Sequence, residues 1–170
     1  MSEVRRYFQA PWGTLLKVIS IGVTLLLLGV FGGLAFSGRS RSSLTSILYL
    51  AFPLLIIFGS LLFTVRGYIL TGDALLIRRL FWNTRIPLET VISVTPDPKA
   101  MTGAIRTLGN GGLYGFSGRF RSGKLGSFRA YVTDFKKCVI IETPTRKIVV
   151  SPEDPGDFSE TVRATGREIS

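Results

Sequence analysis

The sequence predicts an α+β fold in which a transmembrane helical hairpin is followed by a small β-barrel or sandwich with a C-terminal helix. Two long apolar runs without a charged residue lie in the first part of the chain. Short runs rich in Val, Ile, Thr, Tyr and Phe, broken by turn residues, follow them. A capped, amphipathic segment comes last. We therefore divide the chain into residues 1–65, an N-terminal arm with the hairpin, and residues 66–170, one domain outside the membrane.

The apolar runs are 18–36 and 44–65, and the short loop 37–43 joins them. At about 1.5 Å per residue the second run is roughly 33 Å long, against a hydrocarbon core of about 30 Å. The first run reaches a similar length when residues 14–17 are added. We therefore predict membrane spans at 14–36 and 44–65. The alternative for the first run is a signal peptide cleaved after Ser37, but signal peptides have shorter apolar regions.

The distribution of Lys and Arg predicts the orientation of the hairpin. Basic residues flank both spans, and the connecting loop has fewer of them: Arg5, Arg6 and Lys17 before the first span, Arg66, Arg78 and Arg79 after the second, and Arg39 and Arg41 in the loop. The positive-inside rule then places both termini in the cytoplasm. We expect an integral protein of the cytoplasmic membrane.

Two glycines of the first span, Gly29 and Gly33, have the G-x-x-x-G spacing that lets two helix backbones approach closely. The pair is a candidate for helix packing, against the second span rather than in a dimer. The alternative is that the spacing is accidental, because glycine is common in membrane helices.

Composition excludes several classes of function. The net charge is +10, with one cysteine and no histidine. A disulfide framework and a Cys/His metal site are therefore excluded. We find no candidate catalytic residues and no cofactor motif, so we expect the protein not to be an enzyme. The positive charge favours anionic lipid headgroups as partners. Nucleic acid is less favoured, because the bilayer already supplies an anionic surface.

The C-terminal segment has the signals of a helix start. Asp154 suits the N-cap and Pro155 the first helical position, although Ser151 offers an overlapping cap. Phe158 and Val162 lie four residues apart, so they share a face that can cover one end of a sheet. We expect Gly166 to end this helix.

Three stretches of the second part resemble a bacterial PH-like domain: YILTGDALLIRR at 68–79, RIPLETVISV at 85–94 and IVVSPEDPGDF at 148–158. The resemblance covers roughly residues 66–163. It implies seven strands in two near-orthogonal sheets, capped by the C-terminal helix, and it fits a domain that follows two membrane spans. Arginines lie in the first hairpin, but not with the spacing usual for phosphoinositide binding.

Residues 109–129 form a stretch rich in glycine, in which basic and aromatic residues alternate. The candidate lipid- or partner-binding residues lie here: Arg119, Arg121, Lys124, Arg129, Tyr114 and Phe116. Three interpretations remain open. The stretch is two strands with a turn at Ser122 and Gly123 and its arginines in solvent, or a loop on anionic lipid or a protein partner, or a nucleic-acid surface.

Together these features predict a membrane-anchored PH-like interaction module. It would bind a protein partner or an anionic lipid surface, and it would catalyse nothing. The alternative is a structural or assembly subunit of a larger membrane complex, in which the transmembrane helices make the essential contact.

Overall fold

We describe a computed structural model of the chain, covering residues 4–36 and 44–167. The loop 37–43, with Arg39 and Arg41, lies outside the described residues. Helix α1 (Thr14–Phe36) has 23 residues, and helix α2 (Leu44–Leu62) has 19 residues with Pro53 inside it. Among the described residues one stretch, Thr14–Gly33 of α1, is long and apolar enough to cross a membrane, and only 11% of it is buried. The described apolar part of α2, Ala51–Leu62, is shorter, so the second span stays a prediction.

The first sheet has four strands in the order β1-β2-β3-β4, and all neighbours are antiparallel. Its strands are β1 (Val4–Gln9), β2 (Gly67–Thr71), β3 (Ala74–Arg78) and β4 (Asn83–Pro87). No sequence pattern in the N-terminal arm, which precedes the helical hairpin, predicts a strand. The structure pairs this arm with β2, so the hairpin is inserted between two neighbouring strands of one sheet.

The second sheet has six strands in the order β5-β9-β10-β8-β7-β6, with β10 and β8 parallel and the other neighbours antiparallel. Its strands are β5 (Ser93–Pro96), β6 (Ile105–Gly111), β7 (Phe116–Ser122), β8 (Gly126–Val132), β9 (Val139–Glu142) and β10 (Lys147–Val150). The described residues thus contain ten strands, against the seven that the resemblance implied. Residues 88–94 are not one strand, because a 3-10 turn (Leu88–Thr90) precedes β5.

The six-stranded sheet is buried on both faces at its centre. One face contributes Val139 and Ile148 to a core shared with the four-stranded sheet and the C-terminal helix. The other face contributes Ile140 and Val149 to a second core, which also contains Leu16 of α1. This is why β9 and β10 are continuous apolar runs rather than alternating ones. Leu16 is 1% exposed, so the first turn of α1 belongs to the folded domain.

Helix α3 (Pro155–Arg167) begins as the sequence predicted. The carboxylate of Asp154 accepts hydrogen bonds from the backbone N–H groups of Gly156 and Asp157, both at 3.0 Å. Phe158 and Val162 are buried in the first core. The helix does not end at Gly166, because Arg167 is still helical.

A buried tyrosine ties the two sheets together. The hydroxyl of Tyr68 in β2 donates a hydrogen bond to the carbonyl of Tyr131 at 2.7 Å. It also accepts one from the backbone N–H of Ser151 at 2.9 Å. Burial raises the pKa of Tyr68 far above its usual range. The phenol therefore stays neutral and keeps both hydrogen bonds.

Candidate functional site

The hairpin of β7 and β8 separates its aromatic residues from its arginines. Phe116, Phe120 and Phe128 are buried in the second core. Arg119 and Arg129 lie on the opposite face, because successive side chains of a strand point to opposite sides. The turn between the strands spans residues 123–125. Of the three interpretations, the two-stranded one describes this backbone, and Phe116 at 8% exposure is not available to a membrane.

Three arginines converge on that opposite face. Arg119 and Arg129 are directly opposite each other across β7 and β8, an arrangement in which like charges repel. Arg79, from the turn after β3, places its guanidinium carbon 4.8 Å from the ring centroid of Tyr131 and 5.5 Å from that of Trp82. Partial burial lowers the pKa of Arg79, and the positive charge of Arg129 acts in the same direction.

The arginine face forms one wall of a cleft, and α2 forms the other. The cavity has a volume of about 750 Å³. Its apolar wall comes from the C-terminal half of α2, and its cationic wall comes from Arg79 and three arginines of the sheet. The apolar wall includes Leu55, Ile56 and Phe63, and the sheet arginines are Arg106, Arg119 and Arg129. No Asp or Glu lines this cleft, and within the described residues none of the four arginines forms an ion pair.

Two glycines, Gly109 and Gly118, line this cleft. Gly109 of β6 and Gly118 of β7 face each other, with φ values of 110° and 148° that other residues rarely adopt. A Cβ added at Gly118 would come within 2.9 Å of the Cα of Gly109. Glycine is required at these two positions because the two backbones approach each other closely.

The tip of the β6–β7 hairpin docks on α1. The backbone N–H of Tyr114 donates to the hydroxyl of Ser20 at 3.0 Å, and that hydroxyl lies 3.5 Å from the carbonyl oxygen of Gly112. The hydroxyls of Thr24 and Tyr114 are 2.7 Å apart. Tyr114 has a positive φ of 60° and lies beside the Trp12 ring. Tyr114 is therefore part of the joint between the domain and α1.

The other candidate residues lie outside the cleft. Arg121 is exposed on β7, and Lys124 forms an ion pair with Asp97 at 2.5 Å. This hydrogen bond lowers the pKa of the Asp97 carboxyl. On α1, a Cβ added at Gly29 or Gly33 would meet no described atom within 4 Å. The role of these glycines in helix packing stays a prediction.

The structure bears on two kinds of reactive site, a cysteine nucleophile and a metal site, within the described residues. Cys138 is buried, and its burial raises the pKa of its thiol to about 12. A thiol of that pKa is not a nucleophile at neutral pH. No group of three or more His, Cys, Asp or Glu able to hold a metal ion occurs among the described residues.

Comparison with protein families agrees with the two sheets and the C-terminal helix. The family model described as Bacterial PH domain matches residues 66–165. The chain belongs to this family. Comparisons with curated proteins and with solved structures gave no match. The match begins after α2, so β1, which completes the first sheet of the PH domain, lies outside it.

Sequence reasoning missed two cleft arginines and two helix residues of this region. The sequence places Arg79 among the basic residues that follow the second span and in the first hairpin, and no pattern singles out Arg106. Both arginines reach the cleft because of the order of the strands in the two sheets, and no local sequence pattern shows that order. Ser20 and Thr24 did carry a signal, since two hydroxyls four residues apart lie on one face of an otherwise apolar helix.

Proposed function

We propose that this chain is a membrane-anchored, non-enzymatic interaction module that holds its basic PH domain against an anionic lipid surface. The observation that carries the proposal is the joint between α1 and the PH domain. Leu16 is part of the second core, while Ser20 and Thr24 bind the β6–β7 hairpin. The opposite face of α1 exposes large apolar side chains such as Val18 (65%) and Ile21 (60%).

A helix fixed in this way sets the position of the domain at a bilayer. The 23 residues of α1 extend about 35 Å, slightly more than the hydrocarbon core. Insertion of α1 brings the domain into contact with headgroups, where each exposed Lys or Arg adds roughly 1 kcal/mol of attraction to anionic lipid. We further propose that α2 is the second span and that both termini lie in the cytoplasm, as the positive-inside rule predicts.

Reconstitution tests the anchoring. The full chain, in detergent, is mixed with phosphatidylcholine and the detergent is removed. We expect the protein to float with the vesicles and to stay with them in high salt and in alkaline carbonate, because apolar burial does not depend on charge. A chain that remains soluble without detergent, or that carbonate releases, contradicts the proposal. Reporter fusions at each terminus, active only outside the cytoplasm, should both be inactive.

A second candidate is an assembly subunit that acts through its transmembrane helices. The observation in its favour is the open face at Gly29 and Gly33, where no described atom lies within 4 Å of an added Cβ. Substituting both glycines by leucine separates the two candidates. If crosslinking in native membranes shows that a protein partner is lost, the helices carry the function. If the partner is retained, the PH domain carries it.

A further inference from the structure

We propose that the cleft between α2 and the six-stranded sheet binds one anionic phospholipid. Its phosphate lies between the arginines and an acyl chain lies along α2. This proposal rests on the proposed membrane anchoring, and it adds a specific ligand for the cleft. The α2 wall lies outside the stretch that matches the Bacterial PH domain family. The site is therefore a feature of this chain and not of the matched domain alone.

The cationic wall lacks an anion of its own. Arg119 and Arg129 are cross-strand neighbours, and Arg79 lies close enough to Arg129 to be affected by its charge. Among the described residues, no carboxylate lines the cleft. A negatively charged group bound among these guanidinium groups relieves their mutual repulsion.

A phosphate suits these donors. The Nε atom of Arg79 is buried and has no hydrogen-bond partner, whereas nearly all buried polar atoms have one. Guanidinium groups present several N–H donors in a planar fork that matches phosphate oxygens. Arg106 has fewer free donors, because its Nη1 already donates a hydrogen bond to the carbonyl of Gly109 at 3.1 Å. Arg79, Arg119 and Arg129 therefore provide the main donors.

The opposite wall selects a lipid over a soluble anion. Leu55, Ile56 and Phe63 of α2 face the arginines, and Leu108 of β6, 65% exposed, lies in the same cleft. A ligand that fills both walls has an anionic group and a hydrocarbon chain. The volume of about 750 Å³ is within the range of small-molecule sites. A zwitterionic headgroup fits less well, because its cation would find arginines and no carboxylate.

Tryptophan fluorescence can measure this binding. Trp82 lies 5.5 Å from the Phe63 ring, by centroids, and 5.5 Å from the Arg79 guanidinium carbon. The chain has two tryptophans, so Trp12→Phe leaves Trp82 as the reporter. The full chain is placed in phosphatidylcholine bilayers containing brominated phosphatidylglycerol or, in parallel, the same fraction of brominated phosphatidylcholine. Work at about 0.5 M NaCl screens exposed surface charges more than partly buried ones.

We expect brominated phosphatidylglycerol to quench Trp82 more strongly than brominated phosphatidylcholine. Arg129→Gln and Arg119→Gln should each lower this enrichment about fivefold, the effect of one arginine–phosphate contact near a membrane. Arg121→Gln is the matched control, because it removes the same charge from β7 outside the cleft. Its enrichment should stay close to that of the parent protein.

The other outcomes separate the two proposals. Equal quenching by the two brominated lipids overturns the cleft site and leaves the anchoring intact. An equal loss of enrichment in Arg121→Gln also overturns it, because general surface attraction then explains the preference. If neither lipid quenches Trp82, no acyl chain lies in the cleft and the cleft site is overturned, whereas loss of flotation with the same vesicles would overturn the proposed anchoring.

Discussion

The hydroxyl oxygen of Thr24 lies 2.7 Å from the phenolic oxygen of Tyr114. Thr24 is ten residues beyond Thr14, the first residue of α1. Ten residues of helix rise about 15 Å. If α1 spans the bilayer from Thr14 to Phe36, Thr24 lies near the middle of the span, and the tip of the β6–β7 hairpin therefore reaches into the hydrocarbon core. In that case the hairpin tip lies at membrane depth beside α1.

The backbone of this hairpin tip is suited to a place with little water. The N–H of Gly112 donates to the carbonyl of Gly115, and the N–H of Tyr114 donates to Ser20. The side chain of Asn110 both donates to the carbonyl and accepts from the N–H of Leu113. Irregular backbone at membrane depth is tolerated only where protein satisfies its polar groups. These contacts provide partners for most of the polar backbone groups from Gly112 to Gly115.

The joint at Thr24 predicts a coupling that a double-mutant cycle can measure. Thr24→Val and Tyr114→Phe each remove one side of the hydrogen bond. We expect a coupling of about 1 kcal/mol in the free energy of unfolding in detergent micelles, since the contact is partly buried. Thr24→Val combined with Tyr7→Phe, a distant pair, is the control and should be additive. Additivity in both pairs would show that the hydroxyls do not interact.

The packing of β1 predicts that a substitution in this N-terminal strand will destabilise the PH domain. Phe8 of β1 is 5% exposed and meets Phe158 of α3 edge to face, with ring centroids 5.1 Å apart. Phe8→Ala should lower the free energy of unfolding by about 3 to 5 kcal/mol. Gln9→Ala is the control, because its side chain is exposed on the same strand. The measurement is denaturant unfolding of the full chain in micelles, and similar values for the two variants would refute the packing of β1.

Local signals were enough for some elements and not for others. The cap at Asp154 and the alternation of Arg119 with Phe120 depend on a few neighbouring residues, so the sequence predicts the start of α3 and includes the two-stranded hairpin among its three interpretations. The pairing of Val4 with Thr71 joins residues on opposite sides of the helical hairpin. The approach of Arg79 to Arg129 depends on how the sheets meet. Sequence periodicity contains neither relationship, so β1 and the cleft needed the three-dimensional structure.

The single cysteine predicts how stability depends on pH. Burial raises the pKa of Cys138 to about 12, and the charges of Asp134 and Asp97 add to the effect. In the unfolded chain a thiol has a pKa of about 8.5. Between these values the unfolded chain loses a proton that the folded chain keeps. The free energy of unfolding should therefore fall as the pH rises through this window.

At pH 10 we expect this loss to be about 1–2 kcal/mol relative to pH 8. In the unfolded chain Tyr68 also loses its proton near this range, whereas burial keeps it protonated in the folded protein, so the informative quantity is the difference from Cys138→Ala, in which Tyr68 remains. The variant loses some packing at every pH, but its stability should decline less steeply. A thiol-reactive maleimide provides an independent check, because folded protein at pH 8 should react far more slowly than unfolded protein. Parallel pH curves for the two proteins, together with fast labelling, would mean that Cys138 is not buried in the second core.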